Sequence, residues 1–116
     1  MEIKRIKSGD RMSQAVVYNG IVTTAGQVAQ NAKGGSAAEQ TTDILKAIDE
    51  LLAAGGTDKS KLLTATIWLS NIGDFAEMNS IWDAWVSAGN APTRACVESA
   101  LASPDFIVEI AVTAAV

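Results

Sequence analysis

The amino-acid sequence predicts an α+β fold, a two-layer sandwich in which two helices cover one face of a single mixed sheet. Two segments carry apolar residues at the spacing of amphipathic helices, and short segments rich in β-branched residues flank them. The segments follow one another in the order β-β-β-α-β-α-β-β, which suits a single sheet with both helices on one side. At 116 residues the chain is expected to form one domain, residues 1–116.

The N-terminal part of the chain predicts an edge strand followed by a β-hairpin. Residues 3–7 form a short, partly alternating segment, which favours an edge strand. Residues 15–18 and 21–26 are β-rich and flank Asn19-Gly20. Both central positions of a type I′ turn need positive φ, which asparagine and glycine tolerate, so this pair predicts a tight hairpin.

A capping box predicts the start of the first helix. In Ser36-Ala37-Ala38-Glu39, the serine and glutamate side chains each accept a hydrogen bond from the other residue's backbone N–H. Gly55-Gly56 predicts the end of the helix, because glycine tolerates the conformation that closes a helix. The apolar residues between these signals recur at helical spacing: Ile44, Leu45, Ile48, Leu51 and Leu52.

The second half of the chain predicts a strand, a helix and two final strands. Residues 62–69 favour a strand, and Asp74 is the predicted N-cap of a helix that ends at Gly89. The final strands, about residues 94–101 and 107–115, are expected to form a hairpin. The second helix carries an apolar stripe: Phe75, Met78, Ile81, Trp82, Trp85 and Val86. We interpret its tryptophans, like Trp68, as core or interface packing.

The sheet face without helices is expected to be small and apolar rather than charged. Its candidate side chains are Val22, Ala25, Thr66, Ala111 and Thr113. An uncovered, weakly polar sheet face favours self-association, so the sequence predicts an oligomer.

Composition argues against several classes of partner. The net charge is −4 and the nine basic residues are scattered, so we expect neither a nucleic-acid nor a membrane partner. The lone Cys96 and the lack of a signal peptide favour the cytoplasm. The sequence has no histidine and no Cys-x-x-Cys, so no metal site is expected, and it has neither a dinucleotide fingerprint nor a P-loop.

Two charged residues stand out in segments that are otherwise apolar. Arg94 opens one of the final strands, and Glu109 lies inside the apolar run of residues 106–114. A charge in a buried strand is costly unless it is paired or used. Because a chain without histidine cannot build a Ser-His or Cys-His pair, Arg94 and Glu109 are the leading candidates for chemistry.

With this element order, the sequence resembles the YjgF family, also called the Rid family of reactive-intermediate deaminases. The resemblance spans nearly the whole chain, and Ile81-Trp82-Asp83-Ala84-Trp85 resembles its YoaB-like branch. The segments that carry it are Thr24-Ala25-Gly26-Gln27, Ala53-Ala54-Gly55-Gly56, Asp74-Phe75-Ala76-Glu77-Met78-Asn79, Pro92-Thr93-Arg94-Ala95-Cys96-Val97 and Val108-Glu109-Ile110.

The resemblance implies a chorismate-mutase-like fold, assembled as a homotrimer with pockets between neighbouring subunits. It implies a hydrolytic deaminase that converts 2-imino and 2-enamino acids, such as 2-aminoacrylate and 2-iminobutanoate, to 2-oxo acids and ammonia. It implies no metal and no organic cofactor. The partner is then a small carboxylate substrate, and the alternative is a trimeric module that binds such a carboxylate without turning it over.

The resemblance also assigns roles to individual residues. Arg94 matches the arginine that binds the substrate carboxylate, as a planar guanidinium can do with two parallel hydrogen bonds. Glu109 matches a glutamate that orients water or relays a proton. The main chain at Ala95 and Cys96 is implied to contact the substrate. Asn79 is implied to line the same pocket.

The resemblance further places Gly26 and Met12 at the pocket, but two positions depart from the family pattern. Met12 stands where many of the deaminases have a tyrosine, in Asp10-Arg11-Met12-Ser13 instead of a Gly-Pro-Tyr segment. Ala25 stands where they often have serine. These departures favour the binding-module alternative, whereas Arg94 and Glu109 favour the enzyme.

Each candidate also has a structural interpretation. Arg94 would be tied to Glu98 on the same strand face, and Glu109 would be a structural carboxylate at an interface. Cys96 would be a small buried hydrophobe, and Asn79 would bond within its own helix. Gly26 would serve only a close approach of the backbone.

Overall fold

A computed structural model describes residues 1–116 and contains one seven-stranded sheet and two helices. The strands are β1 (Lys4–Ser8), β2 (Ser13–Tyr18), β3 (Ile21–Thr24), β4 (Gln27–Val28), β5 (Leu62–Leu69), β6 (Thr93–Glu98) and β7 (Val108–Ala115). The helices are α1 (Ala37–Ala54) and α2 (Phe75–Trp85), and short 3-10 turns span Lys59–Lys61 and Ile72–Asp74. The two-residue strand β4 has no counterpart in the sequence prediction.

The sheet is mixed, as predicted, with the strand order β1-β2-β3-β7-β5-β6 and β4 paired to β7. Strands β5 and β6 run parallel, and the other pairs are antiparallel. The predicted hairpin of the last two strands is wrong, because β5 lies between β6 and β7. Alternate residues of β7 are fully buried, as in a central strand, whereas β6 has no fully buried residue and forms an edge.

The local signals for the first hairpin and helix are confirmed. Asn19 and Gly20 have φ values of 51° and 77°, as a type I′ turn requires. The Ser36 hydroxyl accepts from the Glu39 N–H, and the Glu39 carboxylate accepts from the Ser36 N–H. The helix closes at Gly55, followed by Gly56 with φ of 84°.

The boundaries of α2 differ from the prediction. Asp74 occupies the N-cap position but makes no capping hydrogen bond with its side chain. A side-chain cap is found instead at the start of the preceding 3-10 turn, where the Asn71 side chain accepts from the Gly73 N–H. The helix ends at Trp85 rather than at Gly89, because Val86 turns to an extended conformation with ψ of 139°.

Both helices lie on one face of the sheet, which we call the helix face; the opposite face is the open face. Pairing of Ala65 with Val112 and of Ile67 with Ile110 puts these buried residues on the helix face. Thr66, Trp68 and their neighbours on β7 alternate to the open face, where they remain partly exposed. Val22, predicted for the open face, is 0% exposed and packs in the core opposite Ala114. Neither helix is long and apolar enough to cross a membrane.

Candidate functional site

Arg94 lies on the edge strand β6, beneath helix α2. Its register partner is Ala65, which is buried on the helix face, so the Arg94 side chain belongs to the same face. The arginine is half-buried. Since β6 is an edge strand, the guanidinium lies at the border of the molecule rather than deep within its core.

Three residues of α2 surround the guanidinium of Arg94. The Asn79 Oδ1 atom accepts a hydrogen bond of 2.7 Å from Arg94 Nη1. The Arg94 Cζ atom lies 5.7 Å from the ring centroid of Phe75 and 5.4 Å from that of Trp82. Positions 75, 79 and 82 recur at helical spacing, so they share one face of α2. We call Phe75, Asn79 and Trp82 the α2 clamp.

The contacts of Arg94 and Glu98 argue against the structural interpretation, in which the two side chains form a pair. Glu98, the proposed acidic partner, instead accepts a hydrogen bond of 2.9 Å from the Ile72 N–H through its Oε1 atom. Asn79 is likewise engaged with Arg94 rather than within its own helix. The charge of Arg94 therefore meets only uncharged side chains within this chain.

Cys96 follows Arg94 on the helix face, two residues along β6, and is half-buried. Burial raises the pKa of the Cys96 thiol, and the nearby charge of Arg94 lowers it by a smaller amount. The thiol is therefore neutral at physiological pH, as expected for a small hydrophobe. Ala95 pairs with Thr66 and points to the open face.

Glu109 lies on the open face. It pairs with Trp68 of β5 and with Val28 of β4, and it is half-buried. Burial raises the pKa of the Glu109 carboxyl, and no neighbouring positive charge offsets this effect. A carboxyl of this kind holds a proton more readily than an ordinary glutamate and accepts one closer to neutral pH.

Gly26 lies directly against the carboxylate of Glu109. A Cβ atom at position 26 would approach Glu109 Oε2 to 2.1 Å, well inside van der Waals contact. The absence of a side chain at Gly26 thus makes room for the catalytic candidate itself, not only for a neighbouring backbone.

Gly26 and Met12 line the same cavity of about 340 Å³, bordered by α1 and by the loop between β1 and β2. Met12 is 47% exposed. The amides of Gln14 and Gln27 also line this cavity and are joined by a hydrogen bond of 2.9 Å. Ala25 donates its backbone N–H to the Gln14 carbonyl nearby.

The predicted site residues therefore fall into two groups. The anchor group is Arg94, Asn79 and Cys96, and the carboxylate group is Glu109 and Gly26. Met12 is joined to the carboxylate group only through the cavity that it shares with Gly26, which Glu109 does not line. Arg94 pairs with Ala65, whereas Glu109 pairs with Trp68, three residues along β5, so their side chains leave opposite faces of the sheet. A single chain does not bring the two groups together.

Sequence reasoning missed the part that Phe75 and Trp82 play around Arg94, because it assigned both to the apolar stripe of α2. Their spacing with Asn79 was the available signal, since an amide between two aromatics on one helix face is unusual packing. The polar residues Gln14 and Gln27 were also missed. No group of three or more His, Cys, Asp or Glu side chains is arranged to hold a metal ion.

The chain as a whole is similar to several known proteins. A family model described as Endoribonuclease L-PSP matches residues 2–116. The RutC family protein YoaB of Escherichia coli K12 is 44% identical over 116 residues, which cover 100% of both chains. A 2-iminobutanoate/2-iminopropanoate deaminase of Salmonella typhimurium is 30% identical over 103 residues, 84% of this chain and 80% of the relative. A YjgF-family structure from Neisseria meningitidis superposes with a TM-score of 0.95 at 49% identity, covering 99% of this chain and 95% of that one.

Proposed function

The chain belongs to the YjgF or Rid family, and we propose that it hydrolyses 2-imino and 2-enamino acids to 2-oxo acids and ammonia. The observation that carries the proposal is the guanidinium of Arg94, held at the sheet edge by uncharged side chains alone. One relative is named a 2-iminobutanoate/2-iminopropanoate deaminase, which supports this class of substrate.

Arg94 is suited to anchor the substrate carboxylate. A guanidinium carries five N–H donors in a rigid fork, and only one bond, from Nη1 to Asn79, is used within the chain. The remaining donors can bind a carboxylate with two parallel hydrogen bonds, each contributing about 1.5–3 kcal/mol. The aromatic neighbours shield these bonds from water and use none of the N–H groups.

Glu109 is suited to handle the proton of the attacking water. Its raised pKa brings the carboxyl closer to the pH at which it works, which is what a general base requires. The oxygen of water forms a bond to the imine carbon while Glu109 takes a proton from it. Starting from a protonated imine, Glu109 then gives this proton to the amine nitrogen of the addition product. As the C–N bond breaks and ammonia leaves, Glu109 takes the proton of the new hydroxyl group, the C=O bond forms, and the carboxyl finally releases that proton to solvent.

We propose that a second copy of the chain completes the site. Arg94 and Glu109 leave opposite faces of the same sheet, so one chain cannot present both to one small substrate. A homotrimer with pockets between subunits would pair the anchor group of one copy with the carboxylate group of its neighbour. The open face favours such an assembly, because beside the Glu109 carboxyl it presents the uncharged Thr66, Ala111 and the 45%-exposed Val97.

A small, anionic substrate also fits the surface charge better than a nucleic acid does. The chain carries a net charge of −4, with nine basic residues against 13 acidic ones. Binding of a phosphate backbone depends on a concentrated positive surface. We further infer that the protein works in the cytoplasm, since its single cysteine suits a reducing compartment.

A coupled assay tests the proposal. An amino-acid oxidase generates imino acids, and the rate of imine loss is followed with and without the protein. We expect acceleration by wild type, none by Arg94→Ala, and little by Arg94→Lys, which keeps the charge but loses the fork. Lys46→Ala, on an exposed position of α1, removes one positive charge elsewhere and serves as the control. Equal rates for wild type and Arg94→Ala would exclude the carboxylate anchor.

Met12 gives the alternative function its support. Where the deaminases often have a tyrosine hydroxyl, the cavity beside Gly26 is lined by a methionine. A trimer that binds small carboxylates without turnover would keep Arg94 and need no such hydroxyl. If wild type binds 2-oxo acids in calorimetry but leaves the imine lifetime unchanged, this binding module is the correct assignment.

A further inference from the structure

The α2 clamp contacts the guanidinium of Arg94 through uncharged groups, so the positive charge is not neutralised. Asn79 accepts one hydrogen bond, and Phe75 and Trp82 approach Arg94 with their ring faces. Such ring faces attract a cation through their quadrupole but leave its net charge intact. Trp82 is only 5% exposed, so it supports Arg94 from a fixed position in the core.

The orientation of the Asn79 amide follows from chemistry. An arginine can only donate hydrogen bonds, so the amide must present its carbonyl oxygen to Arg94 Nη1. An aspartate has nearly the same shape and would accept the same hydrogen bond. It would, however, place a full negative charge 2.7 Å from the guanidinium, where the asparagine places none.

We propose that Asn79 is a positioning residue that fixes Arg94 for carboxylate binding, and that its neutrality is what keeps the arginine available. This inference rests on the proposed role of Arg94 as the substrate anchor. It assigns Asn79 a role through Arg94 rather than a contact with the reacting atoms. A carboxylate at position 79 would hold Arg94 at least as firmly, but it would compete with the substrate carboxylate for the guanidinium.

Two variants test whether Asn79 must be neutral to position Arg94 for ligand binding, or whether it only supports the fold. Asn79→Asp keeps the shape and the hydrogen bond but neutralises Arg94, whereas Asn79→Ala removes the contact and leaves the charge. We expect Asn79→Asp to weaken binding of 2-oxobutanoate by at least ~10-fold, the worth of one charge-assisted hydrogen bond. Asn79→Ala should weaken it less, because Arg94 still carries its charge and its aromatic neighbours.

Thermal unfolding provides the contrasting readout. A purely structural role predicts that aspartate, which keeps the bond, is the milder substitution in every measurement. The proposal predicts the opposite order for affinity: Asn79→Asp retains a melting temperature at or above that of Asn79→Ala but binds 2-oxobutanoate more weakly. Ser80→Asp adds the same charge at an exposed position of α2 and is expected to leave the affinity within about 2-fold of wild type.

Isothermal titration calorimetry with 2-oxobutanoate, on the assembled protein at neutral pH, decides the matter. The proposal is supported if wild type binds 2-oxobutanoate most tightly, Asn79→Ala binds it less tightly and Asn79→Asp binds it least tightly. Equal affinity for wild type and Asn79→Asp, or a greater loss in Asn79→Ala, overturns it while the deaminase assignment stands. Binding with this order but without imine hydrolysis would instead overturn the deaminase and leave the clamp in place. If wild type binds no 2-oxo acid, the anchor fails, and this inference fails with it.

Discussion

At the scale of single residues, Gly26 lies so close to Glu109 that a side chain at position 26 would displace the carboxylate proposed to act in catalysis. A Cβ at position 26 would meet the far end of a flexible side chain, Glu109 Oε2, at 2.1 Å. The carboxylate can swing away at small cost to folding, but it then leaves its working position. Gly26→Ala should therefore lower the rate of imine hydrolysis by about 10²-fold, as misplacements of about 1 Å do.

The same preparations give the control for this prediction. The melting temperature of Gly26→Ala should change little, because Gly26 does not require a positive φ. Gly9→Ala is the matched variant: the nearest atom to its new Cβ is the Met12 carbonyl oxygen at 3.8 Å, an ordinary contact. A Gly26→Ala protein as active as Gly9→Ala would show that the position of Glu109 does not matter for the rate.

Glu109 should also set the pH dependence of activity. Burial raises the pKa of its carboxyl, and the proposed base must be deprotonated to accept a proton. Activity is therefore expected to fall as the pH drops through a pKa above that of an ordinary glutamate. A pH-rate profile measures this acidic limb, and Glu109→Gln should be inactive, down by at least about 10²-fold.

The direction in which Glu109→Gln changes the melting temperature distinguishes a catalytic glutamate from one that stabilises the fold. A carboxyl whose pKa is higher in the folded state favours folding when protonated, and that contribution is lost as the pH rises through the folded-state pKa. Glu109→Gln should accordingly raise the melting temperature at neutral pH, and the gain should shrink towards low pH. A lower melting temperature at neutral pH would instead identify Glu109 as a structural carboxylate.

The sequence was sufficient to single out Arg94 and Glu109, because a charge inside an apolar strand is visible as a pattern. It could not show that the two side chains leave opposite faces. That fact depends on the register of β5 with both β6 and β7, which arises between segments far apart in the chain. The contact between Arg94 and Asn79 was missed for the same reason.

At the scale of elements, Gln40 connects α1 to the segment that leads into β7. Its side chain is 0% exposed and donates to the carbonyls of Gly35 and Asp105, at 3.2 and 2.9 Å. Its Oε1 accepts from the Ile107 N–H at 2.9 Å. Every polar atom of this buried amide is used, so it fixes where the chain enters β7, two residues before Glu109.

Gln40→Leu should consequently destabilise the fold strongly. Leucine has similar bulk but takes away the amide partner of the Gly35 carbonyl and of the Ile107 N–H, whereas the Asp105 carbonyl still accepts from the Gly34 N–H. Since each unsatisfied buried group costs about 1–3 kcal/mol, we expect a loss of about 2 kcal/mol or more in the free energy of unfolding, measured by denaturant titration. Thr42→Ala, an exposed substitution on the same helix, is expected to cost less than about 1 kcal/mol. A loss in Gln40→Leu no larger than this control would contradict the role of Gln40.

The elements with local signals were predicted well. The Asn19-Gly20 turn and the capping box of α1 each depend on residues within one turn of the chain. The hairpin of the last two strands was wrong, because β6 and β7 are separated by β5, and only tertiary packing decides which strand takes the central place. The end of α2 was misplaced for a related reason: Gly89 suggests a stop, but the backbone already leaves the helix at Val86.

At the scale of the whole molecule, a site shared between copies makes a prediction that no single-chain site could meet. Arg94→Ala and Glu109→Gln are each expected to be inactive. If the pocket pairs Arg94 of one copy with Glu109 of the next, a mixed trimer of the two variants contains one intact pocket. Random 1:1 mixing should restore about a quarter of the wild-type activity in a three-fold ring.

Co-expression of the two variants with different tags, followed by tandem purification, selects the mixed trimers. Because one of their three pockets is intact, the coupled assay on this selected material should show about a third of the wild-type activity. Mixing two preparations that cannot exchange subunits is the negative control. Inactive mixed trimers would mean that both residues act within one chain or that one of them does not act at all. Light scattering on each variant checks that the trimer itself is intact.

The placement of Arg94 and Glu109 on opposite faces of the sheet has a consequence for how a site shared between copies would be regulated. If the pocket forms between copies, as proposed, a newly synthesised copy is inert until it meets others. The concentration of complete pockets then rises more steeply than the concentration of the chain, so activity would appear only above a threshold protein concentration and would need no effector. Dilution alone would silence the protein, and any molecule that covers the open face would do the same without approaching the arginine.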